Sequence, residues 1–459
     1  MPRAKGVSLP RRLTLPGALA VVVGSMIGSG IFRSPAAIAS RVPTPGALMG
    51  VWVAGGLLAL CGALTLAEIT TALPRTGGIY VIVREGWGRL PAFLFGWAEV
   101  VIIRAAALGA VATTFAEYTL RTLGYDPRIA PYDTVVHRVA AVAIVVLAAV
   151  NIAGVRSSAL LLEVATVVKA GALLLIALGA VWLAPALVHT AATPAVMPPI
   201  SPSAVGLALV AVLWAYDGWA DLSFVAGEVV APDRTLPRAL IGGTLAVLVI
   251  YCAANLAYLA VLPISQISAS RLVAADVADR LVGHWGVVVV GVAVVIATVS
   301  TLNGSLLTCP RIFFAMADDG LLFRPVAAVH PRYQTPYVAI ALAALLGIAF
   351  VLARTFEQLA DTFILAIVPF YALAVAAVFP LRRRSGYRPS FRLPGYPVVP
   401  ALFVLTSAGV LGSAIVDPAS RWPTLAVIGV ILAGIPVFYY VRHRGGPDTS
   451  AAIVTEAPD

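Results

Sequence analysis

The chain has 459 residues, of which 60% are hydrophobic and 11% charged, and its mean hydropathy is +0.96. This composition excludes a soluble globular protein and leaves room for about twelve membrane spans of ~20 residues. The net charge of +10 comes from arginines scattered among short connections, so it does not indicate a nucleic-acid partner. Three cysteines and five histidines lie apart without motif spacing, so no metal, cofactor or disulfide is expected.

Apolar segments separated by polar connections predict an all-α membrane protein embedded in the lipid bilayer. The first segment contains Arg33 and is followed by many others, so it predicts a membrane span and not a cleaved leader. Residues 445–459, GGPDTSAAIVTEAPD, predict a disordered cytoplasmic tail. The predicted spans are 14–38, 47–73, 91–120, 135–154, 158–184, 204–230, 238–262, 286–316, 337–353, 358–379, 397–416 and 424–441.

Lysine and arginine are unequally divided between the two ends of these spans. Counted over alternate connections, one side carries nineteen of them and the other eight. By the positive-inside rule the richer side, which includes both termini, is cytoplasmic. The longest connections on the cytoplasmic side are residues 74–89 and the arginine-rich residues 382–396. Residues 74–89 are amphipathic enough to lie along the membrane surface or to plug an inner vestibule. We therefore expect a multi-pass protein of the plasma (inner) membrane.

The stretch GSMIGSGIF, residues 24–32, places three glycines inside the first apolar segment, where they weaken a helix. One explanation is close helix packing, because Gly24 and Gly28 form a GxxxG pair. A second interruption, WAYDGWADL at residues 214–222, lies five spans later in the sixth segment. Paired interruptions in the two halves of a chain indicate an inverted-repeat transporter with its substrate site at the membrane midplane.

Unwound backbone at these interruptions suits a zwitterionic ligand. Free N–H groups at the start of a half-helix attract a carboxylate, whereas free carbonyl groups accept hydrogen bonds from an ammonium group. Glycines allow the ligand to approach the backbone closely, and Ser29 adds a hydroxyl group. Trp214, beside the second interruption, is placed to cover a bound ligand and close a gate.

Lys169, one of two lysines in the chain, lies in the middle of the fifth apolar segment. A lysine so deep cannot easily snorkel to the surface, and an unpaired ammonium group is costly in hydrocarbon. We therefore expect a functional role, for which two possibilities remain. The ammonium group could stay charged against carbonyl groups of the first span in place of a bound cation, or the desolvated amine could load and release a proton.

Several carboxylates are also predicted at membrane depth. Glu99 and Arg104 in the third span are five residues apart, which does not match one face of an α-helix, so each is expected to pair elsewhere. Glu68 is expected to form a structural ion pair. Asp217 could cap the second half of the sixth span, or its carboxylate could face a substrate ammonium group. Asp221, one turn later, could help to orient the interruption.

Five stretches in order along the chain resemble the amino acid–polyamine–organocation (APC) superfamily. GSMIGSGIF resembles its first-span signature, and WAYDGWADLSFVAGEV resembles its sixth span. WAEVVIIRAAA, NGSLLTCPRIFFAMADDGLL (residues 303–322) and HPRYQTP (residues 330–336) also match in order. Together these stretches resemble most closely the L-type amino acid transporter (LAT) branch and its bacterial relatives, over nearly all twelve spans.

This resemblance implies a LeuT-like fold of twelve transmembrane helices in a single transporter domain, residues 1–459, with discontinuous helices 1 and 6. Residues 14–184 and 204–379 would be inverted repeats of five helices each, and residues 397–441 two additional helices.

The resemblance also implies a substrate site at the two interruptions. The substrate carboxylate would meet the amides around Ser29 and Gly30, and the amino group would meet carbonyl groups on both broken spans. The implied substrate-binding residues are Met26, Ile27, Gly28, Ser29, Gly30, Trp214, Asp217 and Gly218. Lys169 matches the family's fifth-span lysine, which takes the place of a sodium ion. The implied cation-substituting or proton-coupling group is Lys169, Gly24, Ser300 and Thr301.

Two departures limit what the resemblance implies. The L-type branch usually has Gly where this chain has Asp217 and Asn where it has Ala220, so side-chain selectivity does not carry over. Residues 124–134 lack the cysteine through which animal members link to a heavy chain, so no covalent heavy-chain partner is expected.

The sequence therefore predicts a sodium-independent secondary transporter of L-amino acids, with neutral amino acids as the main substrates. It would work by alternating access, as an exchanger or as a proton-coupled carrier. A carrier of cationic amino acids or polyamines is the alternative that Asp217 motivates. A membrane channel is a more remote alternative. A membrane-embedded enzyme is disfavoured, because histidines are absent from the centres of the spans.

Overall fold

The computed structural model describes residues 11–154, 159–183, 200–318, 328–333 and 335–444, and the secondary structure of these ranges is almost entirely helical. The predicted tail 445–459 lies outside the described residues, as do Arg3, Lys5, Arg156 and Arg324 from the charge count. The α-helices are α1 (Leu15–Met26), α2 (Gly30–Arg41), α3 (Pro45–Ala72), α4 (Gly78–Trp87), α5 (Arg89–Ala98), α6 (Arg104–Thr122), α7 (Tyr132–Ile152), α8 (Ala159–Leu183), α9 (Pro202–Tyr216), α10 (Pro232–Val261), α11 (Ile264–Ala269), α12 (Val273–Val282), α13 (His284–Asp318), α14 (Tyr337–Ala353), α15 (Phe356–Ala376), α16 (Val378–Arg382), α17 (Val398–Val416), α18 (Pro418–Leu432) and α19 (Gly434–Arg444).

The described ranges contain ten helical segments that are long and apolar enough to cross a membrane, and the bent pair α1–α2 makes an eleventh. The axes of α1 and α2 differ by 41° at their break. The helix α14 is also apolar but has only 17 residues. The predicted all-α membrane fold is confirmed, whereas the count of twelve spans requires α14 to cross the membrane and stays a prediction.

The bundle has a buried centre and an exposed apolar periphery. In the third span, Arg89–Thr122, 78% of the most apolar 18-residue stretch is buried inside the bundle. In the sixth span, Pro202–Glu228, the buried share of that stretch is 72%. The same share is 28% for Val398–Val416 and for Pro418–Val441. The third and sixth spans therefore form the centre of the bundle, and the last two lie at its edge, where apolar side chains suit contact with lipid.

Several spans begin at a hydroxyl side chain that caps the helix. Thr44 and Ser201 accept hydrogen bonds from backbone N–H groups in the first turns of α3 and α9, and proline occupies the first helical position of both. Thr355 and Gln358 form a reciprocal capping box at the start of α15. Because the first N–H groups of a helix have no partner within it, these residues set where the spans begin.

The third span contains one turn that is not α-helical. Residues Glu99–Ile103 form a π-helical turn between α5 and α6. The backbone N–H group of Arg104 donates to the Glu99 carbonyl group, and its guanidinium group donates to the Glu99 carboxylate at 2.9 and 3.2 Å. The expectation that Glu99 and Arg104 pair elsewhere is wrong, because a π turn brings residues five apart onto one face.

We expect the pairing of Glu99 with Arg104 to stabilise the third span. Glu99→Gln removes the charge from a side chain that is 1% exposed and leaves the guanidinium group with a poorer partner. Losing one member of a buried pair should lower the free energy of unfolding by about 3 kcal/mol, measurable by thermal unfolding of the purified protein. The double variant Glu99→Gln/Arg104→Gln should lose less than Glu99→Gln alone. A larger loss in the double variant would contradict the pairing.

Candidate functional site

The first interruption separates α1 from α2 at residues 27–29. Ile27 has φ −76° and ψ 79°, which ends the helix, and α2 begins at Gly30. Gly30 lies against the second broken span, since a Cβ atom there would be 2.3 Å from the Cα atom of Ala215. Only glycine fits at this crossing, so contact between the two broken spans requires the last glycine of the motif.

Gly24, in contrast, packs against the fifth span. A Cβ atom at Gly24 would lie 2.6 Å from the hydroxyl oxygen of Thr166 in α8. A Cβ atom at Gly28 would meet only the Ser25 carbonyl oxygen, at 3.9 Å. The helix-packing explanation of the motif therefore applies to Gly24, whereas Gly28 belongs to the unwound segment.

The second interruption follows α9. Asp217 has ψ 147°, and Gly218 has φ +107°, a backbone conformation that favours glycine. A Cβ atom at Gly218 would lie 2.7 Å from the carbonyl carbon of Ser25. The chain then continues as a 3-10 helix, Asp221–Glu228. The two interruptions thus cross each other directly at the centre of the bundle.

A tyrosine of α10 joins the two broken spans. The Tyr251 hydroxyl group lies 2.6 Å from the Met26 carbonyl oxygen and 3.0 Å from the Ala215 carbonyl oxygen, so its proton is shared between these acceptors. Its ring packs on Trp52 and Tyr216, with ring centroids 5.5 and 5.1 Å away. The sequence analysis missed Tyr251; its only signal is a hydroxyl group in an apolar span, which needs a buried partner.

Some carbonyl groups at the interruptions already have partners. The Met26 carbonyl oxygen accepts hydrogen bonds from the Gly28 N–H group at 2.8 Å and from Tyr251, which uses both of its lone pairs. The Trp214 carbonyl oxygen accepts a longer hydrogen bond, 3.4 Å, from the Asp217 N–H group. Met26 is therefore placed at the site but is less available to a ligand than Trp214.

Three buried polar atoms at or beside the interruptions, Ser29 Oγ, Trp214 Nε1 and the Tyr216 hydroxyl oxygen, have no hydrogen-bond partner within the described part of the chain. A buried polar group left unsatisfied costs about 1–3 kcal/mol, so these atoms favour a polar ligand beside them. The Trp214 ring meets Phe356 and Phe363 edge to face, with centroids 6.0 and 5.1 Å apart. Trp214 therefore packs against α15 beside the second interruption.

Lys169 reaches the first broken span from α8. Its ammonium group donates to the Gly24 carbonyl oxygen at 3.3 Å and to the Thr301 hydroxyl oxygen at 3.2 Å. The side chain is 1% exposed, so it does not snorkel to the surface. Gly24 lies in the last turn of α1, where the negative end of the helix dipole stabilises a cation. Of the two predicted hydroxyl residues, Thr301 makes this contact and Ser300 does not.

The Asp217 carboxylate faces the tenth span. Its Oδ1 atom accepts a hydrogen bond from the Tyr371 hydroxyl group of α15 at 2.7 Å. The 3-10 helix that follows has no side-chain cap, so the capping role considered for Asp217 is not observed. The charges of Asp221, Arg104 and Glu99 lie within electrostatic reach of this carboxylate. A contact between Asp217 and a substrate ammonium group stays a prediction.

A buried arginine joins several elements at the end of the bundle that contains α2. Arg33 is 4% exposed, and its guanidinium group donates to Glu117 of α6 and, at 2.9 Å, to Glu357 of α15. It also donates to the Arg271 carbonyl oxygen at 2.9 Å, and it lies 4.3 Å from the centre of the Phe356 ring. We call Arg33, Glu117, Glu357 and Phe356 the Arg33 cluster; it joins α2, α6 and α15. The sequence analysis noted Arg33 but did not assign this role, although a charge in an apolar segment is its signal.

At the opposite end, where α1 begins, backbone hydrogen bonds join two separate segments. The N–H groups of Arg12 and Leu13 donate to the Glu228 carbonyl oxygen at 2.8 and 3.0 Å, and the Val230 N–H group donates to the Leu13 carbonyl oxygen at 2.8 Å. A parallel bridge between Leu13 and Val229 results. It ties the start of α1 to the end of the 3-10 helix.

We expect Arg33→Gln to open the end closed by the Arg33 cluster, because Glu117 and Glu357 lose the charge that holds them together. In a cysteine-free background, a Ser29→Cys reporter should then react with a hydrophilic maleimide roughly tenfold faster. The matched control is Arg41→Gln, which removes an arginine of the same helix whose ion pair with Asp361 spans 3.4 Å. Equal labelling rates in the two variants would contradict the proposed seal.

Comparison with known proteins places this geometry in a family. A family model described as amino acid permease matches residues 13–436. The chain is 32% identical to the serine/threonine exchanger SteT of Bacillus subtilis, over 95% of this chain and 98% of that protein. It is 29% identical to b(0,+)-type amino acid transporter 1 of Homo sapiens, over 96% of this chain and 89% of that protein. It is 30% identical to large neutral amino acids transporter small subunit 2 of Oryctolagus cuniculus, over 96% of this chain and 82% of that protein.

The match covers both interruptions, Lys169 and the Arg33 cluster, and it confirms the resemblance that the first-span and sixth-span motifs carry. The chain belongs to the amino acid permease family.

Proposed function

We propose that this protein is a sodium-independent exchanger of L-amino acids, with neutral amino acids as its main substrates. The observation that carries the proposal is the crossing of two broken spans in a permease-family chain, with buried donors at Ser29 and Trp214 that lack partners among the described residues. The relatives include a serine/threonine exchanger and a transporter subunit for large neutral amino acids, and these names support neutral amino acids as the main substrates.

The two ends of a zwitterion would bind to different parts of the crossing. The substrate carboxylate would bind at the start of α2, where the Ser29 hydroxyl group, the amides of Ser29 and Gly30 and the positive end of the helix dipole come together. The substrate ammonium group would bind to carbonyl groups released between α1 and α2 and at the end of α9. Trp214 would cover the ligand.

Lys169 would make sodium unnecessary. Its ammonium group already lies against the carbonyl end of α1, where it supplies a fixed positive charge beside the site. Both roles considered from the sequence remain compatible with this contact: a permanent charge in an exchanger, or a proton carrier. The assay below distinguishes them.

Alternating access would open one end of the site at a time. With both termini cytoplasmic, the Arg33 cluster would be the outer seal and the bridge at Leu13 the inner seal. Residues 14–184 and 204–379 would be the two inverted repeats that move against each other. We propose no covalent heavy-chain partner, because residues 124–134 contain no cysteine, and no enzymatic activity.

Uptake of labelled amino acids into proteoliposomes tests the proposal. We expect uptake of neutral amino acids that requires internal amino acid and responds neither to sodium nor to an imposed pH gradient. Lys169→Ala should lower the exchange rate by about tenfold or more, because it removes the charge held by Gly24 and Thr301. Accumulation driven by a pH gradient alone, and lost in Lys169→Ala, would establish the proton-carrier role and overturn exchange. No counterflow with any amino acid would overturn the proposed function.

A second candidate function is transport of cationic amino acids or polyamines. It is favoured by the carboxylate of Asp217, which lies at the second interruption beside the charge of Asp221. Under this candidate, Asp217→Gly should abolish uptake of arginine and lysine while sparing neutral substrates. Tyr371→Phe is the matched control, since it removes the hydrogen bond to Asp217 but keeps the carboxylate. Equal loss of neutral and cationic uptake in Asp217→Gly would indicate a structural role instead.

A further inference from the structure

The connection between α16 and α17 contains an arginine loop, residues 382–396, that is fixed to one buried carboxylate. Glu68 of α3 is 0% exposed. Its carboxylate accepts hydrogen bonds from the Arg382 guanidinium group at 2.7 and 2.5 Å and from the Leu393 N–H group at 2.7 Å. The Tyr387 hydroxyl group donates to it at 3.3 Å. This Glu68 clasp therefore holds three separate points of the loop.

Further contacts fix the loop to neighbouring helices. The Ser390 hydroxyl group donates to Asp233 at the start of α10 at 3.1 Å. Arg384 donates to the Glu85 carbonyl oxygen of α4 at 2.5 Å. The Arg382 guanidinium group lies 3.8 Å from the centre of the Tyr396 ring. The loop is thus shaped by α3, α4 and α10 together and not by its own sequence alone.

The remaining charges of the loop are all positive. Arg383, Arg388 and Arg392 are exposed, and none of them makes an ion pair within the described part of the chain. In contrast, Arg382 pairs with Glu68 and Arg384 with Glu85. Residues 382–396 contain no Asp or Glu, so the loop does not neutralise these three arginines.

The loop lies at the level expected for lipid headgroups. It connects the end of one candidate membrane span, Phe356–Arg382, with the start of the next, Val398–Val416. Tyr396, the last residue of the loop, is 38% exposed, and Trp87, two residues after the Glu85 carbonyl group that binds Arg384, is 43% exposed. Tryptophan and tyrosine are enriched at this depth of the membrane, where one end of the side chain is apolar and the other meets water.

We propose that Arg383, Arg388 and Arg392 form a preshaped site for the phosphate groups of anionic phospholipids. Guanidinium groups bind phosphate through paired hydrogen bonds, and clusters of arginine beside a membrane attract anionic headgroups. The Glu68 clasp contributes by ordering the loop before the lipid binds, so that less conformational freedom is lost on binding. A zwitterionic headgroup binds less well, because its own ammonium group offsets the phosphate charge.

Native mass spectrometry of the full-length protein tests this site with phosphatidylglycerol and phosphatidylcholine of identical acyl chains. We expect the wild-type protein to bind phosphatidylglycerol about tenfold more tightly, and R383Q/R388Q/R392Q to lose this preference. The matched control, R138Q/R280Q/R354Q, removes the same charge from arginines of the opposite side and should keep the preference. Equal loss in both triple variants would overturn the site, because total charge would then explain the binding.

Two variants test the contribution of the clasp without removing any of the three arginines. Glu68→Gln, and the milder Tyr387→Phe, should weaken phosphatidylglycerol binding about threefold by loosening the loop. Tyr387→Phe keeps the test available if Glu68→Gln does not fold. Unchanged binding in a folded clasp variant would overturn the preshaped site. Lipid binding is measured without transport, so a failure here is distinguishable from a failure of the proposed function.

Discussion

Two broken spans release backbone hydrogen-bonding groups at a depth where hydrocarbon supplies no partner, and the centre of the bundle is built to satisfy them. Gly30 and Gly218 let the two segments cross with their backbones in contact. The Tyr251 hydroxyl group then serves one carbonyl group from each segment. Ser29 and Trp214 keep buried polar atoms without a partner in the described part of the chain, and the proposed zwitterionic ligand would satisfy them. The same constraint therefore explains the packing and supports the proposed binding chemistry.

The interruptions were predictable from sequence because their signals are local. Glycines grouped inside two apolar segments weaken a helix wherever the segment packs, and α1 and α9 end at Met26 and Tyr216, inside the two stretches that the sequence singled out. The signal for Lys169 is equally local, because a lysine in the middle of a long apolar segment is recognised from hydropathy alone. Its partner required more than spacing: the choice of Thr301 over Ser300 depends on how α13 is rotated.

The partners of the other buried charges were not predictable, because they depend on distant or unusual geometry. Glu99 and Arg104 share a face only after a π turn forms, and the spacing rule for α-helices gave the wrong answer. Arg33 lies 84 residues from Glu117 and 324 residues from Glu357. No periodicity connects residues so far apart in the chain. A single sequence therefore identifies which charges need explanation, whereas the fold decides how they pair.

The buried ion pairs also differ in what they join, and this suggests which of them can open. The pair of Glu99 with Arg104 lies within one span and moves with it as a unit. The Arg33 cluster and the Glu68 clasp both join separate elements, so any relative movement must expose charge, at a cost of several kcal/mol unless water replaces the lost partner. The Glu357 side chain is 51% exposed, so water can hydrate the Arg33 cluster as it separates. The Glu68 side chain is 0% exposed and would remain an uncompensated buried charge. The Arg33 cluster is therefore suited to a seal that opens and closes, and the Glu68 clasp to a joint that stays closed throughout transport.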